Sequence, residues 1–390
     1  MLALSLADCA VSPAPLHPLP PPIAAPIVQA PPHLSLSQSS FTDLPGWSDD
    51  DPALALPALL KSCHALVSAS ENAIAGDAMA WRPVCAAAAD LPVGDRTAAR
   101  RFFEAAFTPW HASNGGASDG LFTGYYEIAL RGNRHPSSRY TVPLYHHPVD
   151  LISVDLGQFR ATLKGQRIAG RIQGGHLIPY DDRAAIESGS LDRRGLEFLW
   201  VDDPIDAFFL AVQGSGRVTL PTGAVIRVGY DGSNGRPYVS IGHVLAQSGV
   251  PVDRISLAYL RQWIKDHPAE GQALMDRNPS YVFFKEMTGD GPLGSEGVAL
   301  TPGRSLAVDP AFIPYGVPIW LDTSDPVNPS GRLQRLLVAQ DTGGAIKGPV
   351  RGDIFFGFGP QAEHHAGEMK GRGTWWLLLP KSVQPPANSP

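Results

Sequence analysis

A chain of 390 residues that is 44% hydrophobic and only 17% charged has enough apolar material to bury one large core or two moderate ones, which sets aside the fibrous and disordered classes. Its formal net charge of −6, with no run of lysines and arginines, argues against nucleic acid as a partner. Its 40 glycines and 38 prolines exceed average usage, the pattern of many short strands joined by turns.

In chain order, Met1 to Ala7 is apolar but lacks the positively charged start of a secretory signal. Leu6-Ala7-Asp8-Cys9 resembles a lipoprotein processing box in which Cys9 would be acylated, with Asp8 where the box wants a small residue. No apolar stretch elsewhere approaches the ~20 residues that a membrane-spanning helix needs. Residues from about Val11 to Ser40, with Pro20-Pro21-Pro22, are expected to form a tether. Order is expected from near Asp49, where Leu56, Leu59, Leu60, Cys63, Leu66 and Val67 recur at helical spacing. A second helix carries Ala99, Phe102, Phe103, Ala106 and Phe107. Cys63 and Cys85 fit one disulfide of an exported protein, or equally two buried thiols on neighbouring helices.

From Leu121 to Val239 short apolar runs cut by Gly, Pro, Asn and Asp predict a β domain, among them Phe208 to Gln213, Arg217 to Leu220 and Ala224 to Gly229. Ile255 to Asp266 returns to helix, and Pro268 can open another. Strands then resume at Val317 to Leu321, Leu336 to Gln340, Arg351 to Phe358 and Thr374 to Leu379. Helices, strands, helices and strands in that order suggest one domain inserted into another.

Three aspartates stand out in the last third: Asp309 before Pro310, Asp341 in Asp341-Thr342-Gly343-Gly344, and Asp353 in Arg351-Gly352-Asp353-Ile354. A single aspartate at a strand end is an ordinary turn former. Three in one β segment, flanked by glycines that allow close approach, point to a site. Neighbouring carboxylates can push one pKa upward, and a carboxylic acid protonated near neutrality is what glycosidic cleavage requires. Thr123-Gly124-Tyr125-Tyr126-Glu127 and Gln213-Gly214-Ser215-Gly216 supply the aromatic, hydroxyl and amide groups that sugars need.

The sequence resembles the membrane-bound lytic murein transglycosylase A family with its C-terminal three-aspartate domain. The blocks that carry the resemblance are Phe122-Thr123-Gly124-Tyr125-Tyr126-Glu127, Leu199 to Asp206 leading to Val212-Gln213-Gly214-Ser215-Gly216, Asn278 to Phe284, Ser305 to Asp309, and Asp341 to Gly348 running into Arg351-Gly352-Asp353. It implies a mainly β fold with flanking helices, a double-psi β-barrel interrupted by a second small β-barrel domain, and a glycan in the groove between them. On that reading residues 1–44 are the N-terminal segment and tether, 45–128 plus 246–382 the barrel domain, 129–245 the insert, and 383–390 a tail. Asp353 looks like the catalytic acid and base, Asp341 its close neighbour and Asp309 a supporting carboxylate, while Thr123, Tyr125, Tyr126, Gln213, Ser215 and Gly216 would line the groove. The resemblance implies peptidoglycan strands as substrate, no cofactor, other cell-wall enzymes as partners, and a periplasmic location with membrane contact only through a lipid anchor.

Two rival readings use the same residues. An inverting hydrolase would need Asp341 or Asp309 as a base set apart by the width of a water, and a non-catalytic peptidoglycan-binding module would have no use for three aspartates. Asp341-Thr342-Gly343 also matches the core of aspartic protease motifs, but a single-chain protease needs two such triplets. His364 and His365 are adjacent rather than at ligand spacing, so no metal is expected.

Overall fold

In the computed structural model, which describes residues 31–390 apart from positions 164, 165, 290, 329, 387 and 390, six strands close a barrel. Gly120–Asn133 pairs in parallel with Arg351–Phe358, which lies antiparallel to Ser305–Ala307. That short strand runs parallel to Arg332–Asp341, followed antiparallel by Pro318–Ser324 and then Lys370–Pro380. Lys370 to Gly373 pairs back onto Gly120 to Thr123 and completes the ring. Strands buried on both faces read as continuous apolar runs, as in Leu336 to Ala339 and Trp375 to Leu379. Trp320, Trp375, Leu306, Ile319 and Leu336 are completely buried, each large apolar side chain contributing about 1.5–3 kcal/mol on burial.

Helices Leu56–Leu66, Ala78–Ala89 and Arg96–Ala106 cover one side of the barrel. Leu56, Leu59, Cys63 and Leu66 share the buried face of the first, as their three- and four-residue spacing dictates. Asp77 and Asp95 start the other two by accepting backbone N–H groups of the first turn. Asp50 and Arg304, both under a tenth exposed, form a two-pronged ion pair at 2.7 and 2.8 Å, and Asp50 also accepts the Leu336 N–H. This pins the segment before the helices to the barrel. Cys63 and Cys85 are joined by a disulfide across the first two helices.

The strand Gly120–Asn133 does not end with the barrel. Its second half pairs in parallel with Ser215–Thr219, which continues antiparallel to Val225–Ser233 and Val282–Met287. Its last residues meet Glu197–Val201, which pairs with Val142–Tyr145. A second core of Ile128, Leu130, Phe208, Leu210, Val228 and Phe284 fills this region and takes in Ile264, Leu274 and Met275 from helices Leu257–Asp266 and Pro268–Asp276. Buried Glu127 clasps the two sheets together by pairing with Arg217 and Arg227 at 2.8 and 3.1 Å.

Two expectations are corrected. Phe208 to Gln213, read as part of a β domain, is the end of helix Pro204–Gln213; Asp203 caps its start, Pro204 occupies its first position and Gly214 at φ 80 terminates it. Leu34–Gln38, placed in the tether, is a strand paired with Phe107–Asn114, its Leu34 and Leu36 buried. The Cys9 box and residues 1–30 lie outside the described residues. Among the described residues no helix is long and apolar enough to cross a membrane.

Reduction of the Cys63–Cys85 bond, which closes a separation of 22 residues, should cost about 3 kcal/mol of stability by loop entropy. Urea denaturation of Cys85→Ser against the oxidised parent checks this; equal midpoints would show that the cross-link contributes nothing.

Candidate active site

Strand register places the aspartates. Ala307 lies opposite Asp353 on one side and Asp341 on the other, so the two carboxyl-bearing residues flank one strand, with Cα atoms about 10 Å apart at normal strand spacing. Asp353 in turn lies opposite Thr123. Because strand side chains alternate, Thr123 and Tyr125 share the face that carries both aspartates.

Hydrogen bonds complete the arrangement. Thr123 Oγ1 donates to Asp353 Oδ1 at 2.8 Å and accepts from Arg351 Nη2 at 2.8 Å, a relay from guanidinium to carboxyl through one hydroxyl. The Tyr125 hydroxyl donates to Asp341 Oδ2 at 2.7 Å, while the Ser295 N–H and hydroxyl both donate to Asp341 Oδ1 at 2.9 Å. Asp341 therefore has three donors and Asp353 one. Burial raises the Asp353 carboxyl from 3.8 to about 6; Arg351 and the Thr123 hydroxyl pull it down, and the Asp341 charge adds to the rise. Burial also raises Asp341, opposed by the Tyr125 hydroxyl and Ser295. Donors that favour the ionised form are concentrated on Asp341, leaving Asp353 the better proton holder.

Asp309 stands apart from this pair. Only 5% exposed, it accepts the N–H groups of Gly348 at 2.8 Å and Ala311 at 3.2 Å, tying the loop after Asp341 to the Asp309-Pro310 turn. Its contact with the pair is indirect, through that loop. Gln213 Oε1 accepts the Tyr126 N–H at 3.0 Å, fixing the end of helix Pro204–Gln213 against the shared strand. The Tyr126 ring points the other way, into the second core, with its hydroxyl on Glu363. Ser215 and Gly216 are buried beside Ile128, and a Cβ at Gly216 would lie 2.8 Å from the Ile128 carbonyl oxygen, so only glycine fits.

Sequence reasoning did not single out Ser295, Arg351 or Tyr238. Arg351 stands two residues before Asp353, and a cation that close to a buried carboxyl was a readable signal. Tyr238 comes from the loop after Val225–Ser233, lies against Gly344, and feels the Asp353 charge, which with burial raises its phenol. Nothing in its local sequence marks it. A cavity of about 650 Å³ near helix Pro204–Gln213 and strand Val142–Tyr145 is lined by none of the three aspartates. Among the described residues no group of three or more histidine, cysteine or acidic side chains is placed to hold a metal ion.

A closed barrel with this carboxyl pair on its rim, joined through one strand to a second sheet, defines the class: residues 121–285 match the MltA specific insert domain and residues 304–379 the 3D domain. Membrane-bound lytic murein transglycosylase A of Vibrio cholerae is 33% identical over 265 residues, 66% of this chain and 65% of that protein. The crystal structure of a membrane-bound lytic murein transglycosylase from Agrobacterium tumefaciens superposes with a TM-score of 0.80 at 33% identity, covering 89% of this chain and 98% of that one. That of Escherichia coli MltA with bound chitohexaose gives 0.65 at 26% identity, over 89% and 94%. The chain belongs to the membrane-bound lytic murein transglycosylase A family. It spans just under two thirds of the length of the curated relatives it matches.

Thr123→Val removes the one donor to Asp353 and should raise its pKa above the present value of about 6. Carboxyl-carbon NMR titration measures it, and an unchanged midpoint would deny the hydroxyl this role.

Proposed function

We propose that the protein is a lytic transglycosylase of peptidoglycan, cleaving the β-1,4 bond between N-acetylmuramic acid and N-acetylglucosamine and leaving 1,6-anhydromuramic ends. The observation that carries this reading is the placement of Asp353 on one face with Thr123, Tyr125 and Asp341, its carboxyl raised by burial to about 6. Its relatives' names and the chitohexaose on the Escherichia coli protein support a glycan substrate.

Asp353 as acid gives its proton to the glycosidic oxygen while oxocarbenium character develops at the muramyl carbon. Asp341, whose three donors oppose the rise that burial imposes, lies where a charge on it can stabilise that centre. The Asp353 carboxylate then takes the proton from the carbon-6 hydroxyl of the same sugar, which attacks intramolecularly and closes the anhydro ring. An intramolecular nucleophile needs no positioned water, only orientation. The inverting hydrolase alternative is less well supported: both oxygens of Asp341 and both of Asp309 already accept hydrogen bonds, leaving neither poised to activate a water.

We read the ring of six strands as a double-psi β-barrel, and residues 129–245, whose sheet and core also take in helices Leu257–Asp266 and Pro268–Asp276 and strand Val282–Met287, as the inserted β domain forming the other wall of the groove, a reading supported by the mixed strand order and by Tyr238 against Gly344. Thr123, Tyr125, Gln213, Ser215 and Gly216 line that groove, with Tyr126 contributing its backbone to hold Gln213. The relatives' designation as membrane-bound supports an envelope location. Acylation of Cys9 would provide a periplasmic anchor.

Digests of peptidoglycan should contain muropeptides lighter by one water than lysozyme-type products, ending in 1,6-anhydro-N-acetylmuramic acid. Mass spectrometry reads this directly, and reducing muramyl ends as the dominant product would establish the hydrolase instead.

Asp353→Asn should lower turnover at least about a hundredfold with fold and glycan binding intact, since the amide neither gives nor takes the proton. Asp341→Asn should be milder and should shift the pH optimum downward, because loss of its charge lowers the Asp353 pKa. Near-normal turnover by a folded Asp353→Asn protein would transfer the role to another group.

A further inference from the structure

A second acidic side chain lies behind the pair on the opposite side of Asp341. Residues 292–300 fold into a small hairpin, with Leu293 bridged to Ala299 and the Gly294 N–H on the Val298 carbonyl at 2.9 Å. Its tip carries Ser295, both of whose donors engage Asp341 Oδ1, and Glu296, whose N–H reaches the Gln340 carbonyl at 3.1 Å. The hairpin sits so close to the barrel that a Cβ at Gly294 would lie 2.3 Å from that same carbonyl oxygen.

The Glu296 carboxyl turns inward, under helix Leu56–Leu66. Its Oε2 accepts from the Ser62 hydroxyl at 2.6 Å, and its Oε1 is buried without a hydrogen-bond partner. Ser62 in turn accepts from Gln340 Nε2 at 2.8 Å, whose other hydrogen goes to the Ala58 carbonyl at 2.8 Å. Ser62 and Gln340 are wholly buried. A buried carboxyl with a single donor contributes little net stability, so a structural role alone leaves this choice of residue unexplained.

We propose that Glu296 is a positioning residue: seated under the helix through Ser62, it holds the hairpin so that the two Ser295 donors stay on Asp341. This rests on the reading of Asp341 and Asp353 as the reacting pair. Burial pushes the Glu296 carboxyl from 4.5 to about 7, so at mildly acidic pH it sits neutral in its site. Ionisation places a charge there with one donor to support it, and the hairpin loosens as pH rises past neutrality. Among the described residues, the ionisable groups nearest it have other partners. Lys61, on the same helix, directs its ammonium to Ala299 and Thr301; the Tyr315 phenol, raised by burial, lies beside Ser295 and Thr342; Asp341 stands beyond Ser295.

The test compares Glu296→Gln, which keeps shape and accepts from Ser62 but cannot ionise, with Glu296→Ala, which empties the seat. Turnover and KM are followed from pH 5 to 8.5 beside Asp353→Asn, and melting temperature is followed over the same range extended down to pH 4. Glu296→Gln should match the parent within about twofold at pH 5.5 and lose activity less steeply above pH 7, because one of two ionisations that silence the enzyme is gone. Glu296→Ala should lower kcat about tenfold with KM little changed. A carboxyl whose folded pKa exceeds its unfolded one contributes stability below the unfolded value that is lost as pH rises through the folded value. The melting temperature of Glu296→Gln should therefore gain on the parent between pH 4.5 and 7. A Glu296→Gln pH profile superimposable on the parent's, or full kcat in folded Glu296→Ala, overturns the proposal while Asp353→Asn remains inactive. An active Asp353→Asn instead removes the reading on which it rests, and the melting curves still report whether Glu296 titrates.

Discussion

One strand belongs to two sheets, and the site depends on it. Gly120–Asn133 closes the barrel with its first residues and starts the second sheet with its last. Side-chain direction alternates with a period of two, so one register fixes Thr123 beside Asp353, the Tyr125 hydroxyl on Asp341 and Gly216 against Ile128 together. A slip of a single residue would turn Thr123 and Tyr125 into the core and bring Phe122 and Gly124 to the aspartates. Glu127, held between Arg217 and Arg227 just where the strand passes from one sheet to the next, opposes such a slip, because moving it would strand a buried charge.

Within that frame the two carboxyls are differentiated by what donates to them. Asp341 and Asp353 both lie opposite Ala307, one on each side, and both are lifted by burial. What separates them is three donors against one. The loop that delivers two of those donors is itself fastened to the helical layer through Glu296, Ser62 and Gln340, so the helices are tied to the carboxyl pair at one remove.

That Asp341, Asp353, Thr123 and Tyr125 come together was legible because each lies in a short contiguous segment whose residue types carry their chemistry, whereas Asp309 and the Tyr126 ring, from those same segments, point elsewhere. The partners that set proton affinities were less so. Ser295 and Tyr238 come from loops remote in sequence, and only strand register shows what they meet. Helix Pro204–Gln213 carried every sign of its ends, an aspartate cap, a proline and a terminal glycine, yet its apolar centre between two β stretches read as a strand, since a short apolar run has no periodicity to decide the matter. Leu34–Gln38 was hidden for a different reason: the alternation that buries Leu34 and Leu36 occupies five residues of a proline-, alanine- and serine-rich tract, and its partner strand follows three helices later.

Cys63 is the residue next to Ser62. The sulfur bridge to Cys85 thus grips the very turn of helix from which the hydroxyl reaches Glu296. In a chain still reduced, that turn keeps its packing and the hydrogen bonds of Ser62 and Ala58 but loses its covalent tie. Forming that bond therefore bears on how firmly the seat of Glu296 is held, and it is a bond of the kind that persists only where thiols are oxidised.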